Sequence, residues 1–113
     1  NPNTSKAATD FYEIMGSAQE TVNAVNRMKK EGRIQEAKEF LSDEDTRKLM
    51  AVAPAMRKVQ DNMAKIRARI NQIEASKGMD PETKRVQINK LMEMYDKTAR
   101  QGYMITQKAG IER

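Results

Sequence analysis

Apolar residues recur along the chain at spacings of three and four, the period of a helix that buries one face. In the first stretch Phe11, Met15, Ala18, Val22 and Val25 follow one another at intervals of four, three, four and three. Thr4 and Ser5 are both suited to accept a backbone N–H at a helix start. Lys29 and Lys30 suit the negative end of the helix dipole, and Gly32 suits a left-handed cap, so the pattern predicts a helix over about 5–31. Ile34, Ala37, Phe40 and Leu41 predict a short helix over 33–41. Ser42 followed by Asp43, Glu44 and Asp45 reads as an N-cap with an acidic first turn, opening a second short helix over 43–52. Pro54 has no N–H to donate inside a helix and disfavours the α conformation at Ala53, so a boundary is expected there.

From Pro54 the apolar positions Met56, Val59, Met63, Ile66, Ile70 and Ile73 keep a heptad seam for more than two repeats, predicting a helix over 54–77. Asp80, Pro81 and Glu82 then supply an N-cap, a first-position proline and an acidic first turn for a helix over 81–108. The connection at Ser76, Lys77 and Gly78 is short, so these two helices must fold back as an antiparallel hairpin. Ile88, Leu91, Tyr95, Ala99 and Gly102 lie on one line of the last helix, flanked by Val86, Met92, Met94 and Met104. Gly102 either admits a close neighbour or marks fraying. The expected fold is all-α: an elongated helical bundle built on a long antiparallel hairpin, with a long N-terminal helix and two short bridging helices, in a single domain over 1–113.

Composition narrows the chemistry. The 113 residues contain no His, Cys or Trp, which removes the imidazole base, the thiolate nucleophile and the usual zinc ligands. Tyr12, Tyr95 and Tyr103 have no visible acid–base partner, and Tyr95 falls on the seam, where a phenol buries its ring. Asp43, Glu44 and Asp45 point in different directions on a helix and read as a cap rather than a metal site. Asp10, Glu13, Glu20 and Glu31 read as a solvated face. No phosphate-cradling glycine loop or nucleophile elbow occurs, and no run approaches the length of a membrane span. The expectation is a non-enzymatic module with no cofactor and no small-molecule substrate. The opening at Asn1 and the ending at Ile111-Glu112-Arg113 suggest a piece of a longer chain.

The positive charge is local. Residues 54–79 carry six basic against two acidic residues, whereas residues 1–32 balance at four and four. Arg57, Lys58, Lys65, Arg67, Arg69 and Lys77 therefore form a candidate nucleic-acid face, the alternative functional reading. Nine methionines in so short a chain point to adaptable packing surfaces, with Phe11, Tyr12, Met92, Met94, Tyr103 and Met104 as candidate partner contacts.

Four stretches taken in order resemble a known family: Thr9-Asp10-Phe11-Tyr12-Glu13; the run from Lys30 through Gly32-Arg33-Ile34-Gln35-Glu36-Ala37 to Leu41; Ile66-Arg67-Ala68-Arg69-Ile70 through Glu74; and Met79-Asp80-Pro81-Glu82-Thr83-Lys84-Arg85 through Leu91. Together they resemble the C-terminal helical region of the large polyvalent proteins, similar to internal virion or ejection proteins, of tailed bacteriophages. The resemblance covers nearly the whole chain. It implies a terminal structural module of a very long virion protein that packs against other virion proteins or copies of itself. It also implies a place in the particle interior or the portal or tail channel, with delivery to, or synthesis in, the bacterial cytoplasm. No catalytic residue carries over.

Overall fold

A computed structural model describes residues 6–111, with the order α1 (Lys6–Lys30), α2 (Ile34–Leu41), α3 (Glu44–Ala75) and α4 (Pro81–Lys108). Thr4 and Ser5, the expected cap of α1, lie outside the described residues, as do Glu112 and Arg113. Among the described residues there is no strand, and no helix is long and apolar enough to cross a membrane. The molecule measures 60 × 27 × 19 Å with a radius of gyration of 18.0 Å, where a compact chain of this length would have about 13 Å. It is an elongated all-α bundle.

α3 and α4 form the expected antiparallel hairpin, and α1 packs against both. The spacing in α1 buries the face it predicts: Phe11, Met15, Ala18 and Val25 are sealed from solvent, together with Ile14. Phe11, Ile14, Met15 and Ala18 join Val52, Ala53, Met56 and Met63 of α3 and Ala99 of α4 in one apolar core. That core extends no further along α3 than Met63. Toward the hairpin turn Ile73 is buried apart from that core, while Ile66, Ile70, Ile88, Leu91 and Met92 stay half-buried. At the opposite end Val25 and Ala37 are buried, where α1 meets α2.

Glycine resolves two features of the packing. Gly32 takes a positive φ of 77°, and the Arg33 and Gly32 amides donate to the carbonyls of Met28 and Lys29 at 2.8 and 3.1 Å, a Schellman end to α1. Gly102 is the close-approach position rather than a frayed one. A Cβ placed there would lie 2.5 Å from two atoms of the Phe11 ring and 2.9 Å from Val59 Cγ1.

Three expectations need correction. Pro54 does not divide the chain: α3 runs unbroken from Glu44 to Ala75 with Pro54 inside it, so one long helix replaces the expected short helix 43–52 and long helix 54–77. Val52, Ala53 and Met56 on either side are buried in the core while Pro54 itself is exposed. Burial of those neighbours holds the helix together, and the ring occupies the solvent side, where its missing N–H is least felt. Ser42 is not the N-cap of that helix. It closes α2, its hydroxyl donating to the Glu39 carbonyl at 2.6 Å, while Asp43 Oδ2 accepts from the Thr46 amide at 2.9 Å and the Thr46 hydroxyl at 3.0 Å. α3 also ends before Lys77, at Ala75, because Asp80 caps α4 through Thr83 and the intervening residues make the turn.

Two measurements follow from this geometry. Gly102→Ala gains helix propensity of about 1 kcal/mol but drives a methyl into a fully buried ring, and overpacking of that kind costs about 1–3 kcal/mol. Thermal melting should therefore show a net loss, larger for Gly102→Val. Gly16→Ala, at a position open to solvent, should raise stability by about 0.5–1 kcal/mol. Equal gains at both sites would contradict the close contact.

The backbone and hydroxyl hydrogen bonds from Thr46 hold the Asp43 carboxyl below its ordinary value. A carboxylate lowered in this way contributes stability that is complete above about pH 4 and is lost as pH falls through the lower folded value. Asp43→Asn keeps a capping oxygen without the titration. Melting of the Asn variant should lose the part of the acid dependence below pH 4 that Asp43 contributes, and an unchanged pH profile would contradict the cap.

Candidate functional site

A polar cluster that links three elements is built from Tyr12, Arg67 and Tyr95. The α1 seam turns Phe11 inward, which leaves Tyr12 on the adjoining, half-exposed flank, where its ring meets that of Phe11 edge-on at 6.0 Å. The Tyr12 and Tyr95 hydroxyls share a hydrogen bond. Arg67 of α3 donates from Nη2 to the Tyr95 hydroxyl at 3.1 Å, and its guanidinium carbon stands 5.1 Å from the Tyr95 ring centroid. A cation over an aromatic face and a donor on the same phenol fix Tyr95 twice. The cluster therefore clamps α1, α3 and α4 together. The Tyr12–Tyr95 contact spans 83 residues of sequence, so no local spacing announces it.

A second concavity of about 400 Å³ lies between α1, the start of α3 and the end of α4, with Glu13, Ser17, Asp45, Lys48 and Gly110 on its walls. Lys48 Nζ is 3.4 Å from the Gly110 carbonyl and 3.7 Å from the Glu44 carboxylate, so its ammonium is taken up in tying α3 to the end of the chain. Gly110, at φ 79°, ends α4 in a second Schellman turn, with the Ile111 amide on the Thr106 carbonyl at 3.0 Å. Among the described residues no group of three or more carboxylates is placed to hold a metal ion.

The candidate partner contacts do not share one surface. Phe11 is fully buried in the chain's own core, so it is withdrawn as a partner contact: the same periodicity that made it prominent places it under α4. Tyr12 is half-exposed in the clamp. Met92 and Tyr103 are half-buried, whereas Met94 and Met104 are the most open large apolar residues, at 52% and 54%.

The six basic candidates divide as well. Arg57 reaches across to Gln19 Oε1 of α1 at 3.0 Å, and Arg67 is held by Tyr95. Lys58, Lys65 and Arg69 are exposed, with Arg69 donating only to Gln72 at 3.3 Å. Lys77 sits in the turn. Lys90, Lys97 and Lys108 were not singled out from the sequence, although their spacings of seven and eleven put them on one line of α4. Counting charge by segment hides a line that counting by helix face reveals.

Comparison with family models, with curated proteins and with solved structures finds no match for this chain. The class the structure defines is that of an elongated all-α helical bundle.

Removing one hydroxyl isolates the clamp. Tyr95→Phe should cost about 1 kcal/mol by denaturant unfolding, and Tyr12→Phe should add little once Tyr95→Phe is present, because the two share one hydrogen bond. Full additivity in that double-mutant cycle would show that the phenols do not interact.

Proposed function

We propose that this chain is a non-enzymatic assembly module, a helical piece that packs against copies of itself or against other proteins of a virion, as part of a phage internal virion protein. The observation that carries the reading is the unfinished seam of the hairpin. Beyond Met63 only Ile73 of the heptad positions is buried, while Ile66, Ile70, Ile88 and Leu91 remain half-buried between two helices and Met94 and Met104 on α4 stand open to solvent. A two-helix layer covers only part of its apolar surface, and a further helix is the usual completion. Methionine suits such a contact because its unbranched chain adapts to different partners. The resemblance of the four ordered stretches to the C-terminal helical region of large polyvalent phage proteins supports the setting.

Self-association is the form of this reading that the chain tests on its own. Sedimentation velocity across a concentration series should show species heavier than the 12.9 kDa monomer. Met94→Gln with Met104→Gln removes the apolar contact at similar volume, helix propensity and charge, and it should return the protein to monomer with unchanged helicity. A strict monomer at every concentration would count against assembly through copies of this chain, and association that ignores both substitutions would remove these methionines from the interface.

A further inference from the structure

The charges of the hairpin are sorted by side. On α3 the flank toward α1 is marked by Arg57, which reaches Gln19, and by Arg67, which reaches Tyr95. At about 100° per residue, Lys58, Lys65 and Arg69 fall within about 40° of one another on the opposite flank. On α4 the flank toward α1 is marked by the buried Ala99 and Thr106. Its two arginines there are neutralised, Arg85 by Glu82 at 2.5 Å and Arg100 by Asp96 at 2.9 Å. Lys90, Lys97 and Lys108 fall within about 20° of one another, turned away from α1.

The hairpin therefore has a back, opposite α1, that carries two rows of exposed cations. Among the described residues none of these six forms an ion pair. From Arg47 through Arg69 the carboxylate beside that back is Asp61, about 40° from Lys65, and on α4 it is Glu93, about 40° from Lys97, so each row sets its cations against one bordering acid rather than forming a mixed face. Asp61 and Glu93 project from the outer edges, about 180° from the seam, and the acids Glu82 and Asp96 belong to the α1 side.

We propose that this back face binds the phosphate backbone of duplex nucleic acid without reading sequence, through Lys58, Lys65, Arg69, Lys90, Lys97 and Lys108. This goes beyond the assembly reading and rests on different residues. The rows run for about 17 Å and about 27 Å at 1.5 Å per residue, the length of about five to eight base pairs at 3.4 Å each. Five of the six cations are lysines, point charges suited to phosphate contact rather than to bidentate recognition of base edges. Beside them stand Asn62, Gln87 and Gln101, neutral donors of the kind that hydrogen-bond phosphate oxygens.

Other anionic occupants fit less well. The aromatic residues are Phe11 and Tyr12 on α1, Phe40 on α2, and Tyr95 and Tyr103 within the seam of α4 and its α1 side, so the back offers no platform on which single-strand bases would stack. Val86, Met94 and Met104 are the exposed large apolar side chains on or beside the α4 row, spaced eight and ten residues apart, about 12 and 15 Å along α4, too scattered for the buried centre of a protein interface or for a membrane-seated helix face.

The test is fluorescence anisotropy of the 113-residue chain with a labelled 30-base-pair duplex over a salt series. Six phosphate contacts predict a slope of log K against log salt of about −5, which is about a 10³-fold loss between 50 and 200 mM. Lys65→Gln, Arg69→Gln and Lys90→Gln together should bring the slope to about −3. The charge-matched control Lys29→Gln, Lys30→Gln and Lys38→Gln, on α1 and α2, should leave it unchanged, with circular dichroism matching the parent for both variants. No binding by the parent at 50 mM salt would overturn the proposal, as would equal losses in the two triple variants. Single-stranded DNA of the same length bound as tightly as the duplex would overturn the duplex assignment, and poly-glutamate bound as tightly would point to an acidic protein instead. The Met94→Gln, Met104→Gln variant should keep the full salt slope, so loss of self-association and loss of DNA binding are read separately.

Discussion

The Phe11 ring rests on the bare backbone of Gly102, and the rest of the bundle is arranged around that contact. A helix of 25 residues cannot lie along a two-helix hairpin unless its bulkiest side chain has a recess to enter, and Gly102 opens one where a Cβ would stand 2.5 Å from the ring. With Phe11 seated, Ile14, Met15 and Ala18 are carried down onto Val52, Ala53 and Met56, and the core closes. The glycine that weakens α4 as an isolated helix is the residue that lets three helices meet. The Tyr12, Tyr95 and Arg67 clamp is a consequence of the same seating, because Tyr12 follows Phe11 and is turned toward Tyr95 only when the ring is buried.

A core limited to that one crossing explains the shape. Three helices meet over the middle of the molecule, two continue toward the hairpin turn, and α1 and α2 pair at the other end, which stretches the chain to 60 Å. Such a molecule has little interior and much flank, and its polar residues divide accordingly. Several arginines lie where a planar or hydrogen-bonding partner is at hand, Arg57 and Arg67 with Gln19 and Tyr95 of neighbouring helices, Arg85 and Arg100 with Glu82 and Asp96 of their own. Lysine predominates where only solvent is opposite. The difference follows from the forked guanidinium against the compact, strongly hydrated ammonium, and it leaves one side of the hairpin neutralised and the other cationic. The proposed apolar contacts at Met94 and Met104 and the proposed phosphate contacts at the lysines are thus two uses of a fold with more surface than interior.

The helices and most of their ends were legible in the sequence because they rest on local rules. The three-and-four spacing, Gly32 after the last turn of α1, and Asp80 with Pro81 at the start of α4 each act within one or two turns of chain. The same local rules failed at Pro54 and at Ser42. A proline breaks an isolated helix, but burial of Val52, Ala53 and Met56 on the other face of α3 outweighs the one lost hydrogen bond. Ser42 and Asp43 compete for adjoining helix ends, and the longer reach of the Asp43 carboxylate to the Thr46 amide decides which residue caps which helix.

By itself the sequence determined the all-α class, the hairpin, the buried stripe of α1 and the absence of imidazole and thiol chemistry, since composition and periodicity are properties of the chain alone. Only the tertiary structure decided that Gly102 is a recess and Phe11 its occupant, that Tyr12 meets Tyr95 across 83 residues, and which lysines share a side. These depend on which faces of separate helices are brought together. A spacing along one helix fixes the angle of a side chain about its own axis, and the neighbour that angle meets is set by packing.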